Sequence, residues 1–132
     1  MKFAPSLATK IPGVIFSMTL GTLACGVPLW PIPYKLVSMP GNPSPVIWLL
    51  LGTFAGLIAA YVLRPGWLLP WGAVAMGFGI AVLGRVAVET AKDPTSHNLW
   101  PIEVAIAGFF GLVSGLLGVA LGRLIQRAAG NP

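Results

Sequence analysis

Acidic side chains are almost absent from this chain. Its 132 residues include three, Glu89, Asp93 and Glu103, beside eight Lys and Arg and a single histidine, His97. Charged residues make up 8% of the chain, against roughly 25% in soluble domains, too few to cover a water-soluble fold. One cysteine, Cys25, excludes an intramolecular disulfide and any cysteine-rich metal site. The eight cations stand singly rather than in a patch or stripe, so the net charge of +5 does not describe a nucleic-acid-binding surface. No HxxxH, CxxC or HExxH spacing occurs, and the sequence names no cofactor.

What is abundant is apolar and small. Hydrophobic residues reach 56%, and glycine alone contributes 17 positions. The apolar residues gather into four blocks, at about 12–33, 45–63, 68–89 and 101–122. About 20 residues at 1.5 Å each cross a hydrocarbon core of about 30 Å. Within lipid each block must be helical, because an isolated strand cannot satisfy its backbone polar groups there. The expected fold class is therefore an all-α integral membrane protein: four transmembrane helices forming one membrane domain over 1–132. Around Cys25, TLACG resembles a lipoprotein cleavage box, but Thr22 and Leu23 depart from that pattern and the apolar run continues to Ile32. A retained first helix is the expectation.

Four spans place both termini on one side. Lys2, Lys10, Arg64, Arg123 and Arg127 fall there, against Lys35, Arg85 and Lys92 on the other side with every acid. The excess of Lys and Arg predicts cytoplasmic termini, and the expected location is a bacterial inner membrane. Trp30, Trp48, Trp67, Trp71 and Trp100 all fall near predicted borders, where an interfacial aromatic belt is expected. The proline-dense stretch 28–45 is expected to be extended or turn-like, and Pro65–Gly66 to turn tightly between spans two and three.

Because lipid tails are as apolar as leucine, small residues that admit close backbone approach hold helices together in the bilayer. Span four carries Gly108, Gly111, Gly115, Gly118 and Gly122 at alternating steps of three and four, a glycine-zipper seam for helix packing or for docking another chain. A shift of 56 residues aligns Pro45 with Pro101, Gly52 with Gly108 and Phe54 with Phe110, which would make the fold two parallel helical hairpins related by an axis along the membrane normal.

The polar residues concentrate in AVETAKDPTSHNLWPIEVAI, 87–106. Arg85, Glu89, Asp93, His97 and Glu103 form a candidate polar site at the outer face. Local structure explains much of this segment. Arg85 can snorkel, Glu89 lies one turn on, Asp93–Pro94 ends a helix, and Ser96 or Asn98 can cap the next. Histidine is the one side chain that naturally titrates near neutral pH, so a proton or cation site is a second reading. Nucleophilic catalysis needs an activated hydroxyl beside a base, and Ser96 adjacent to His97 in sequence is no evidence for one. Small multidrug transporters share this size and span count, but their acid lies inside the first helix, where this chain has none. Hydroxyls within the spans are expected to bond their own helix carbonyls, and Arg123 with Arg127 to attract anionic headgroups.

The expected partners are the lipid bilayer and other membrane subunits or a homo-oligomer, with no nucleic acid. The favoured function is a non-catalytic subunit or assembly partner in a membrane complex. The alternatives are a small oligomeric channel or transporter for an ion or small solute, and an enzyme or ligand site at the outer face.

Overall fold

The computed structural model describes residues 7–37, 41–64 and 66–130. Among the described residues five helices follow one another: α1 Leu7–Leu29, the single turn α2 Tyr34–Val37, α3 Pro45–Val62, α4 Leu68–Lys92 and α5 Trp100–Ala128. Among the described residues there is no strand. α1, α3, α4 and α5 are each long and apolar enough to cross a membrane. The protein is an all-α four-helix membrane protein.

The helix borders follow the backbone chemistry of their ends. α3 starts with Pro45 in its first turn, where the missing N–H costs nothing. α4 runs to Lys92 and stops at Asp93, which is extended (φ −141°, ψ 101°) because the residue before proline avoids helical angles. α1 ends at Leu29, short of the expected border at 33. The expectation of an irregular 28–45 segment needs one correction, since Tyr34–Val37 closes a helical turn with Leu36 N–H donating to Pro33 O at 2.8 Å. Pro40 and Pro65 lie outside the described residues; Gly66 takes a φ of 120°, open to glycine alone.

α3 packs most extensively on α5 and α1 on α4, with α4–α5 and α1–α3 contacts closing a ring in the order α1, α4, α5, α3. Phe78 sits at the centre, fully buried, with Trp48 edge-on to it at 6.3 Å and Phe110 tilted against Trp48 at 5.4 Å. Leu50, Phe54, Leu68 and Phe109 point outward with more than 60% exposure. In water such a surface would aggregate; in a bilayer it is the lipid-facing side.

Glycine sets the closest approaches. A Cβ on Gly118 would overlap the Thr53 carbonyl and the Leu57 amide of α3, and one on Gly77 would overlap the Met18 carbonyl and the Thr22 amide of α1. Along α5, Gly122 would meet Ala60 at 2.8 Å and Gly111 would meet Phe78 at 2.9 Å, while Gly115 backs onto Trp71 at 3.4 Å. Four of the five stripe glycines are therefore used inside the chain, and Gly108 alone of them faces open space.

Tryptophan supplies a second fastening. Trp48 Nε1 donates to Cys25 O at 3.1 Å, Trp71 Nε1 to Leu112 O at 2.8 Å and Trp30 Nε1 to Ala81 O at 3.2 Å. An indole N–H in lipid needs an acceptor, and here it finds one on a neighbouring helix. Trp48 is thus a buried cross-helix residue rather than a belt residue, whereas Trp67 and Trp100 stay exposed at helix ends.

The internal likeness differs from the expected pair of parallel hairpins. In the ring, a two-fold axis along the normal would exchange the diagonal helices, α1 with α5 and α3 with α4, and these run antiparallel. An axis in the membrane plane fits instead. It exchanges α1 with α3 and α4 with α5, and pairs two arginine clamps, Arg85 of α4 on the end of α1 and Arg123 of α5 on the end of α3, one near each end of the bundle.

Candidate functional site

The end of the bundle where α1 and α4 finish holds all three acids and is called here the acidic end; the opposite end, where α1 begins and α5 finishes, is the terminal end. At the acidic end Arg85 does not snorkel outward. It is buried, and its guanidinium turns toward the C-terminus of α1, donating from Nη1 to Leu29 O at 2.7 Å and from Nη2 to Ile32 O at 2.5 Å. Leu29 O, on the last residue of α1, carries the negative end of the helix dipole, and Ile32 O belongs to the turn that follows, in which the Ile32 N–H donates to Leu29 O at 3.2 Å. Arg85 Nε donates to Glu89 Oε1 at 2.9 Å, one turn along α4.

The second Glu89 oxygen meets His97 Nε2, and His97 Nδ1 lies 2.8 Å from Glu103 Oε2 on the first turn of α5. One imidazole therefore bridges the end of α4 to the start of α5. Both ring nitrogens can donate at once only in the imidazolium form. Arg85, Glu89, His97 and Glu103 thus form one connected quartet. Tyr34 completes it: its hydroxyl oxygen accepts the His97 backbone N–H at 3.1 Å, and its ring packs on the imidazole at 4.2 Å between centroids.

His97 reaches this place by an unusual backbone. Its φ is 59°, the left-handed region, where a non-glycine residue costs on the order of 1–3 kcal/mol. It is 2% exposed in a loop whose other residues are mostly open to solvent. The strain persists because both ring nitrogens and the backbone N–H are satisfied together.

Four of the five candidate residues thus converge, and Asp93 does not. It stays at the loop surface and accepts from Thr95 N at 3.0 Å and Thr95 Oγ1 at 2.7 Å, an Asx turn. Those donors, the hydroxyl first, hold its carboxyl below the usual aspartate range. Ser96 Oγ donates to Asp93 O at 2.7 Å, so it neither caps α5 nor meets His97. Leu99 takes the N-cap position of α5, with no side-chain cap. Among the described residues no three His, Cys, Asp or Glu side chains form a metal-binding group.

Beside the quartet lies a cavity of about 470 Å³. The close contacts between α3 and α5 begin at Gly52 and Ser114. Nearer the acidic end the cavity occupies the space between these helices, with Trp48, Val82, Ile106 and Phe110 as its apolar wall. Its polar side is Arg85, Glu103 and Lys35. Among the described residues, Glu103 Oε1 has no partner and Lys35 makes no ion pair.

The bilayer centre is chemically quieter. Thr19, Thr22 and Ser114 donate to carbonyls of their own helices four residues back, while Ser17 Oγ is buried without a partner. Phe78, Val74 and Val119 fill the interior.

Tyr34, Lys35 and the wall of the cavity were not legible as site residues. Arg123 was legible only as a headgroup cation, yet it is buried between α5 and α3. The repeated Leu-Gly-Arg at 83–85 and 121–123 was the available signal that the two arginines are equivalent. No known protein family, curated protein or solved structure matches this chain, so the reading of its function rests on the geometry of these residues.

Proposed function

We propose that the protein is a non-catalytic membrane component that binds a lipid-like amphiphile in the cavity at its acidic end, with that end facing outward and both termini in the cytoplasm. The observation that carries this reading is the division of the cavity wall. Trp48, Val82, Ile106 and Phe110 would take an acyl chain, and Glu103 and Lys35 would hold a polar head. Ligand sites are typically apolar with a few fixed polar groups. The quartet supports that role: it holds Glu103 at one oxygen and leaves the other free.

Purification in mild detergent followed by native mass spectrometry tests the reading. One retained lipid per chain is expected, released by Ile106→Trp, which fills the cavity, and weakened by Glu103→Gln. A chain that retains nothing, or a lipid indifferent to Ile106→Trp, would refute it.

Membership in a larger complex is the second reading. It is favoured by glycines that pack against nothing: Gly72 and Gly79, seven residues apart on α4, and Gly108 on α5. A partner helix would meet those faces rather than Gly111, Gly115, Gly118 and Gly122 of the α5 stripe, which are occupied. Cysteines at 72 and 79 that form no crosslink in native membranes would count against it. Transport through the single chain gains no support from an interior filled by Phe78, Val74 and Val119.

A further inference from the structure

Resting on the cavity reading above, we infer that the amphiphile taken at the acidic end is zwitterionic: a phosphoethanolamine lipid whose primary ammonium donates to Glu103 Oε1 and whose phosphate pairs with Lys35. Both residues border the cavity. Glu103 Oε2 is committed to the His97 ring, and Oε1, an acceptor, has no partner among the described residues. Lys35 offers the opposite chemistry, three donors and no acceptor, and it is exposed and outside every ion pair among the described residues. Tyr34 brings the two together. Its hydroxyl accepts the His97 N–H, His97 holds Glu103, and Lys35 follows Tyr34 in the single turn α2.

The head must therefore give a donor to Glu103 and an acceptor to Lys35. A purely anionic head would answer Lys35 and set a second acid against Glu103. A lone amine would answer Glu103 and set a second cation against Lys35. A quaternary ammonium has no N–H for Oε1, and such groups are held instead in aromatic cages. The rings on this cavity wall are committed elsewhere: Tyr34 packs on His97, and Trp48 packs on Phe110. A primary ammonium beside a phosphate meets both unpaired groups at once.

The wall also says that the head belongs to a lipid. Leu99, Ile102 and Ile106 line the cavity and are each half or more exposed, so it opens sideways between α3 and α5 toward the hydrocarbon. Exposed Trp100, one turn before Glu103, marks the headgroup level. From Glu103 the apolar wall runs along α5 to Phe110, seven residues or about 10 Å of helix. One leaflet of a bilayer core is about 15 Å deep. The cavity thus takes the upper part of an acyl chain, and the rest leaves through the side opening.

The test presents the full chain in mild detergent with equal amounts of phosphatidylethanolamine, phosphatidylcholine and phosphatidylglycerol of identical acyl chains, and native mass spectrometry counts what is retained. Phosphatidylethanolamine should be retained about tenfold over each of the others, the worth of one charge-assisted hydrogen bond. Glu103→Gln should bring it down to the level of phosphatidylcholine. Lys35→Gln should lower both of these lipids alike and keep their ratio. Lys92→Gln, exposed at the same end but outside the cavity wall, should change nothing. If Glu103→Gln fails to fold, the comparison of heads on the parent chain and on Lys35→Gln still decides the matter. Equal retention of the three lipids, a preference for either of the other two, a ratio unmoved in folded Glu103→Gln, or a loss in Lys92→Gln matching that in Lys35→Gln would overturn the inference. Equal retention with release of all three by Ile106→Trp leaves the cavity standing and removes only the assignment of the head; retention of none removes both.

Discussion

Arg85 and Arg123 stand in one relation to the helices they close. Each rises from a Leu-Gly-Arg segment, turns into the bundle, and bonds two carbonyls three residues apart at the end of the parallel neighbour. Helix ends in a bilayer need such partners, since water reaches them poorly.

Arg85→Leu should be among the most damaging single changes at the acidic end. It strips the α1 carbonyls of their side-chain donors and leaves Glu89 and Glu103 with only His97 between them. Removing one partner of a buried ion pair costs about 3–5 kcal/mol; because Glu89 is partly exposed, the lower end of that range applies. Thermal unfolding in detergent should register the loss, and a variant as stable as the parent would show the clamp to be idle.

Gly118→Leu and Gly108→Leu should separate sharply, although the two residues share one stripe. The first forces a side chain into the Thr53 carbonyl and the Leu57 amide and should cost more than about 3 kcal/mol; the second meets open space and should stay within about 0.5 kcal/mol. Equal effects on melting temperature would mean that α5 packs differently. Gly115→Ala is an intermediate case, with its nearest atom 3.4 Å away on a Trp71 ring.

His97→Ala should loosen the loop before the helices. It removes the bridge between Glu89 and Glu103 and keeps the left-handed backbone with only its N–H bond to Tyr34 to hold it. Amide exchange should rise at 95–100 by about tenfold or more, while amides near Phe78 stay protected. Unchanged exchange in the loop would assign the bridge no structural part.

Asp93 should give the loop a local acid response. Its carboxyl is held below the usual range by the Thr95 hydroxyl and amide. The contribution of the turn is therefore present above the unfolded value of about 3.9 and is lost as pH falls through the folded one. The Thr95 amide resonance, followed by NMR from pH 6 downward, should shift at a lower pH than a free aspartate would cause. Asp93→Asn should abolish the shift; a titration at the ordinary aspartate value would deny the Asx turn.

The four spans and the concentration of polarity in 87–106 were legible in the sequence. Hydropathy over about 20 residues is a local sum set against a fixed bilayer thickness, and Pro45, Pro94 and Pro101 punctuate it through their own backbone chemistry. Fold class and membrane location followed from that alone. Neighbour order, the burial of Arg85 and Arg123, and the convergence of Glu89, His97 and Glu103 without Asp93 were decided in three dimensions. Small-residue stripes match one another in many registers, so they do not say which helix meets which. An arginine near a helix end snorkels or clamps according to whether unpaired carbonyls of another helix lie within its reach, and only the packed bundle brings Leu29, Ile32, Ala60 and Leu63 to that distance.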